Sequence, residues 1–561
     1  PAGGNLETAD FEKVEARLKA LLDDRKALDT LPERCLLEQE FASAGLNELV
    51  ADLNARRVSV EQVRGEVQLA WWTTVFEDIV RSSAIISNQD GAALQAASDR
   101  FAQVDVEHVR SIGPMVSQES MRRLCDMLFS RTQEANQMHT VLAGRASVSL
   151  SRIRRDHPEI LAAAKPILVA ALTEPGVLAD VAILDACAHI PAIELLSIIG
   201  RVQQVVVIAH CATVTSESVK QLIDTLPHIE VDAAPSRRAP RLSAFLESEG
   251  YGPVRYDVAT EPAAGEVRFH RVEASGVPVM SSGLVESSQP EIDEVVRLIT
   301  QRAAGFAVVP SSYRLVVVML TDAFRTRLGA ELKSLAGKSK AMGRFLRHVR
   351  LVSLRDVAGG RATDVILSMC YAKTTHGRLL QQFGPLESTG GRGLLLDALA
   401  LADHSLDIVS AFGSEDLDEE RLHQSGPRFL KTMLTWAEQL DDRPVLPLRD
   451  AAGGNVLFDD IADRLRARGL NAAVDYGFDK GVKIPLVVGL KDKPFALAVQ
   501  TDDANFMSVQ STRRRHRLSA QDLISLGWNV MTVWSVAAFV NPDKEVDRIV
   551  SRIGEIYREV E

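Results

Sequence analysis

The chain is 561 residues long, 46% apolar and 25% charged, and its 75 acidic side chains outnumber 64 basic ones for a net charge of −11. That length supplies roughly three to four domains of ordinary globular composition, which excludes a disordered chain, a collagen-like repeat and a small disulfide scaffold. The acidic balance also excludes a general nucleic-acid coat, leaving room only for local basic grooves. Cys35, Cys125, Cys187, Cys211 and Cys370 are scattered without a C-x-x-C pair. With no secretory signal either, this predicts a reducing, cytoplasmic compartment. No apolar run approaches the ~18 residues of a bilayer span, so no membrane partner is expected. The start at Pro1 fits a processed protein and a fragment of a longer one equally.

Residues 1–145 read as a helical region. Leu6, Val14, Leu18, Leu21, Leu22 and Leu28 recur at near-helical spacing, with Glu12, Glu15, Lys19 and Asp23 on the polar face. Further helices centre on 46–57, 59–82 and 117–142, and only Pro32 and Pro114 interrupt the stretch. Trp71 and Trp72 are adjacent; core packing is expected ahead of a base-stacking platform, since neighbouring helical residues face different ways. Residues 146–250 carry short apolar runs at 181–184 and 205–208 around a helix at 191–201. This is a strand–helix–strand unit of a buried parallel sheet.

A Pro/Ser/Arg-rich connection at 233–241 precedes a second α/β unit, residues 251–440. Its strands are expected at 267–272, 315–320, 349–354, 364–369 and 406–411, with helices such as 290–303 and 427–440 between them. Residues 441–454 read as a linker. Residues 455–561 follow the order α-β-β-β-α-β-α, with helices at 455–468 and 513–526. Their strands fall near 471–475, 484–490, 495–501 and 529–534. The expected class is therefore α/β.

Generic chemical motifs are scarce. The nearest text to a phosphate-cradling G-x-x-x-x-G-K-[ST] loop is at 335–339, and Leu332 stands where its first glycine belongs. No H-E-x-x-H, G-x-S-x-G or G-x-G-x-x-G occurs. Cys187 and His189 follow one predicted strand, and His210 and Cys211 follow the next, so the four are candidate zinc ligands. Their spacing is not that of a usual zinc site, and strand-end packing is the expected role; no metal or cofactor is expected. Basic clusters stand at Arg237/Arg238/Arg241, at Lys333/Lys338/Lys340/Arg344/Arg347/Arg350, and at Arg513/Arg514/Arg515/Arg517. The last is densest and opens a helix, which makes its four arginines the candidate phosphate contacts.

The order of pieces resembles a superfamily 1 helicase of the RNA-surveillance branch. The carriers are the helical insert, "VAILDACAHIP", "QQVVVIAHCATVTS" and "VAGGRATDVILSMCYAKTTHGRLLQQFGPL". More closely, the chain resembles large bacterial helicase-like proteins that end in a domain similar to the very short patch repair endonuclease. The likeness begins after that family's P-loop. It implies two RecA-like parallel-sheet lobes, the first incomplete at 146–250 and the second at 251–440, and a restriction-endonuclease-like domain at 455–561.

It also implies that the chemistry is lost. Of the motif that holds magnesium and activates water, Asp185 remains and Ala186 replaces the Glu. The γ-phosphate-sensing motif becomes 209–213, with His210 and Cys211 inside it. Phe324 stands where a Gln precedes the retained Arg325, and Ala358-Gly359 with Gly360-Arg361 occupy the next motif. Ala400 and Ala402 take the places of two arginines that stabilise charge on the transferring phosphoryl group. In the nuclease-like part Asp459 is a candidate first metal ligand, whereas Pro485 and Gln500 replace the strand Asp and Glu.

The expected function is a catalytically silent helicase/nuclease-like scaffold. Its expected partners are DNA or RNA, an active paralogous helicase or another protein. Three alternatives stay open. One is an active ATP-dependent helicase whose P-loop lies upstream, and another is a regulatory protein binding zinc through Cys187, His189, His210 and Cys211. The third is a nuclease rebuilt on Asp459, Asp502 and Asp503.

Overall fold

The computed structural model describes residues 10–560 apart from 24, 26–28, 57, 83–90, 145–147, 170–178, 186, 191, 215, 232, 253, 262–263, 287, 358 and 441–454. The expected linker, Ala186 and Ala358 therefore lie outside the described residues. The chain divides into two units, Pro1–Asp90 and Gly91–Glu561.

The first unit contains the helices Phe11–Asp23, Leu31–Ser43, Asn47–Arg56 and Val60–Ser82. None of its described side chains is buried. Core packing of the tryptophan pair is corrected here: Trp71 and Trp72 are 58% and 60% exposed, meeting each other edge-on at 4.6 Å.

The second unit opens with one long helix, Gly91–Ser130, followed by Thr132–Ala143, in place of a single helix at 117–142. Pro114 lies inside the long helix. A proline there forfeits one backbone hydrogen bond, and the freed carbonyl belongs to Arg110, on an exposed stretch where water can satisfy it.

The strands β1 (Val181–Leu184) and β2 (Gln204–Val207) pair in parallel, joined through the helix Ala192–Ile199. Next come β3 (Val267–Arg271), the short β4 (Ser275–Gly276), β5 (Leu315–Met319), β6 (Val349–Ser353), β7 (Ala362–Ser368), the short β8 (Lys373–Thr374) and β9 (Ala402–Ser410). Five of them form an all-parallel sheet in the order β3-β9-β7-β5-β6. Every residue of β5 is buried, as a continuous apolar run covered on both faces requires. The helices Gln289–Ala304, Asp322–Lys338, Gly391–Ala400 and Ser425–Glu438 supply the cover, with Leu298, Leu328, Leu395 and Leu434 in one core.

The C-terminal part begins with the helix Val456–Ala467. It continues with β10 (Leu470–Tyr476), β11 (Ile484–Leu490), β12 (Leu497–Gln500) and β13 (Asn529–Thr532), in spatial order β10-β11-β12-β13. The first three run antiparallel and β13 joins β12 in parallel. The helix expected at 513–526 runs over 512–525, with a π-helical turn, Arg514–Leu518, leading into Ser519–Ser525. The helices Ser535–Val540 and Pro542–Val560 close the chain, the latter burying Val546, Ile549, Ile553 and Ile556 against the sheet. No helix among the described residues is long and apolar enough to cross a membrane.

Candidate functional site

Three places gather the residues singled out above. The first is one end of the C-terminal sheet. Its register steps from Val474–Leu486 to Tyr476–Ile484, which sets Asp475 opposite Pro485. One step beyond the Leu486–Val499 pair, Pro485 comes level with Gln500, which itself pairs with Thr532. Asp475, Pro485 and Gln500 thus form a row across three strands. Asp475 has a left-handed φ of 48°, and Pro485 has no N–H to give, so the ladder is interrupted where the two meet.

Burial raises the Asp475 carboxyl, Lys483 opposes the rise, and the charges of Asp503 and Asp459 add to it. Sequence reasoning missed Asp475. Its place at a strand end ahead of Gly477 was the only local signal. Asp502 and Asp503 have structural employment. Asp502 accepts from the Ser535 backbone N–H at 2.7 Å and its hydroxyl at 2.9 Å, and Asp503 caps the helix Ala504–Ser508 through the Phe506 N–H at 2.8 Å. A divalent cation needs several charged oxygens at fixed geometry, and the row offers one carboxylate beside a proline and an amide. The residues present do not fit a nuclease metal.

The second place is a cavity of ≈ 310 Å³ between the ends of β1 and β2 and the helix Gly391–Ala400. Asp185, His210, Tyr251, Gly359, Asp397 and Ala400 are among its lining residues. His210 stacks on Tyr251 with ring centroids 3.9 Å apart, and burial lowers its pKa, keeping the ring neutral. Asp397 receives the His189 Nε2 at 2.6 Å. Among the described residues no lysine or arginine lines the cavity. The nearby Arg238 donates to the Ala400 and Ala402 carbonyls at 2.6 and 2.8 Å, so its guanidinium serves the backbone at the positions where the helicase resemblance expects arginines. Arg325 is on the outer side of its helix, paired with Asp322 at 2.9 Å. Two carboxylates without a facing cation repel a polyphosphate.

The four candidate zinc ligands are each engaged elsewhere or exposed. The Cys187 thiol is buried on the Ile208 carbonyl, His189 is committed to Asp397, His210 to Tyr251, and Cys211 is exposed. Among the described residues no group of three or more His, Cys, Asp or Glu is disposed to hold a metal ion.

The third place is the densest basic cluster, and here its arginines have partners within the fold. Arg513 and Arg517 both pair with Asp105 of the long helix, at 2.8 and 2.6 Å. The Arg513 hydrogen bond is the largest of the influences that hold the Asp105 carboxyl below its ordinary range. Arg514 pairs with Asp522 at 3.2 Å, and Arg515 lies over the Phe506 ring, 5.7 Å from its centroid. His516 bonds Ser98 at 3.0 Å, and the Trp534 indole donates to Gln95 at 3.0 Å. The cluster fastens the C-terminal domain to the long helix. By contrast Lys333, Lys338, Lys340, Arg344, Arg347 and Arg350 are all exposed, and none has an ion pair among the described residues. Lys340, Arg344 and Arg347 follow at steps of four and three, so they share one side of the turn that leads into the edge strand β6.

Residues 458–553 match the REase_MTES_1575 family model. This part of the chain is a restriction-endonuclease-like domain, and the row of Asp475, Pro485 and Gln500 lies within it. No curated protein matches the chain.

Proposed function

We propose that this chain is a helicase- and endonuclease-like protein without ATPase or nuclease chemistry, serving as a nucleic-acid-binding or assembly scaffold. The observation that carries this reading is the row Asp475–Pro485–Gln500: the endonuclease-like sheet keeps its strands and register while two of the three residues in the row are uncharged. The cavity beside Asp185 supports the same reading, because carboxylates face the space where a RecA-like pair of lobes would hold phosphates. On this reading β1–β2 with their helices are the remnant of a first lobe, and the five-stranded unit is the second.

Nucleic acid is bound through Lys340, Arg344 and Arg347 with their basic neighbours, since these cations have no ion pair among the described residues while Arg513, Arg514 and Arg517 are paired within the fold. Reversing the three charges to glutamate is expected to weaken binding to single-stranded DNA or RNA at least tenfold, and to flatten the log–log salt dependence by about 2–3. Affinity measured by fluorescence anisotropy at several salt concentrations checks this. Unchanged affinity and slope would remove the patch from the reading.

A further inference from the structure

We propose that the helix Val60–Ser82 pairs antiparallel with the same helix of a second copy of this chain. Its unit has no buried described side chain, so the apolar residues of this helix have no core of their own to enter. One line along the helix runs Val60, Arg64, Val67, Trp71, Val75, Asp78 and Ser82. The steps are four, three, four, four, three and four residues, close on average to the ~3.6 residues of a helical turn, so the seven stay on one face of the helix. Val60 is 86% exposed and Trp71 58%, and Arg64 and Asp78 are exposed as well.

The order of steps is the same read from either end, with Trp71 at the centre. An antiparallel pair centred there lays Trp71 on Trp71 and Val67 of each copy on Val75 of the other. It also brings Arg64 of each copy against Asp78 of the other, twice per dimer. A parallel pair would instead set Arg64 against Arg64 and Asp78 against Asp78, so the charges select the antiparallel register. Arg64 has no ion pair among the described residues. Asp78 has only an exposed contact with Arg81 at 3.6 Å within its own helix, which is weak and easily surrendered. Two such cross-pairs flanking stacked tryptophans make a seam that is self-complementary in charge and in apolar content.

Sedimentation velocity on the full-length chain across the micromolar range tests this. The wild type is expected to dimerise. Arg64→Asp and Asp78→Arg should each weaken dimerisation roughly tenfold, about 1.4 kcal/mol, because every dimer then carries two like-charge contacts. The combination of both substitutions restores opposite charges and should return the affinity close to wild type. Circular dichroism should show the helix content unchanged, since both residues are exposed. A monomeric wild type would overturn the proposal. So would a dimer indifferent to Arg64→Asp, or a double variant as weak as the single ones.

Discussion

Glu291→Gln is expected to flatten the pH dependence of stability in the five-stranded unit by about 3 kcal/mol between about pH 4 and about pH 8. Glu291 is fully buried in the helix Gln289–Ala304. One of its oxygens accepts from the Ser368 hydroxyl at 2.7 Å and the Cys370 N–H at 2.8 Å, and the other has no partner. Burial raises its pKa to about 7, against the partial relief those donors give. Below the ordinary value of 4.5 the carboxyl is protonated in both folded and unfolded chains. Between 4.5 and 7 the folded chain holds a proton that the unfolded chain releases, so stability falls as pH rises. Above 7 the buried charge is carried in full and the loss levels off. Glutamine keeps the accepting oxygen and has nothing to ionise. Hydrogen exchange of β5 and β7 amides, compared between variant and wild type at each pH, isolates this one group. Parallel curves for the two proteins would contradict the assignment.

Arg302→Met is expected to destabilise the same unit by about 3–5 kcal/mol, the usual effect of leaving buried charges without their partner. Its guanidinium joins Asp364, at 3.2 Å, to Asp407 beneath the sheet. Asp364 also receives the Tyr313 hydroxyl at 2.8 Å and His404 at 2.9 Å, and Asp407 receives His270 at 2.8 Å. Burial pushes both carboxyls up, but His404 and Arg302 outweigh it at Asp364, and His270 and Arg302 at Asp407, so both stay below the ordinary range. Adding Asp364→Asn and Asp407→Asn removes the stranded charges and should recover much of the loss. Denaturation that shows the triple variant no better than Arg302→Met would assign the effect to packing around the arginine instead.

The strands were legible because their signal is local. A run such as Leu315–Met319 is apolar throughout, and its bounds in the structure differ from the expected ones by one residue. The long helix was misplaced because Pro114 read as a break, whereas the helix starts at Gly91 and runs through the proline. Gly91 is held by packing, since an added Cβ there would come within 2.4 Å of the Ala537 side chain. The ion pairs of Arg513 and Arg517 were hidden for a related reason. A cation's partner determines its role, and Asp105 lies about four hundred residues upstream in the sequence. Pro485 and Gln500 were readable as uncharged substitutes, but that Asp475 completes their row follows from the register, which no single segment encodes.

The central claim is best tested by equilibrium binding of the purified full-length chain to single-stranded and duplex DNA and RNA at two salt concentrations, with ATP turnover followed in the same samples. Salt-dependent binding with no turnover above background is the predicted result. ATP hydrolysis stimulated by nucleic acid would contradict it and favour an active ATP-dependent helicase instead.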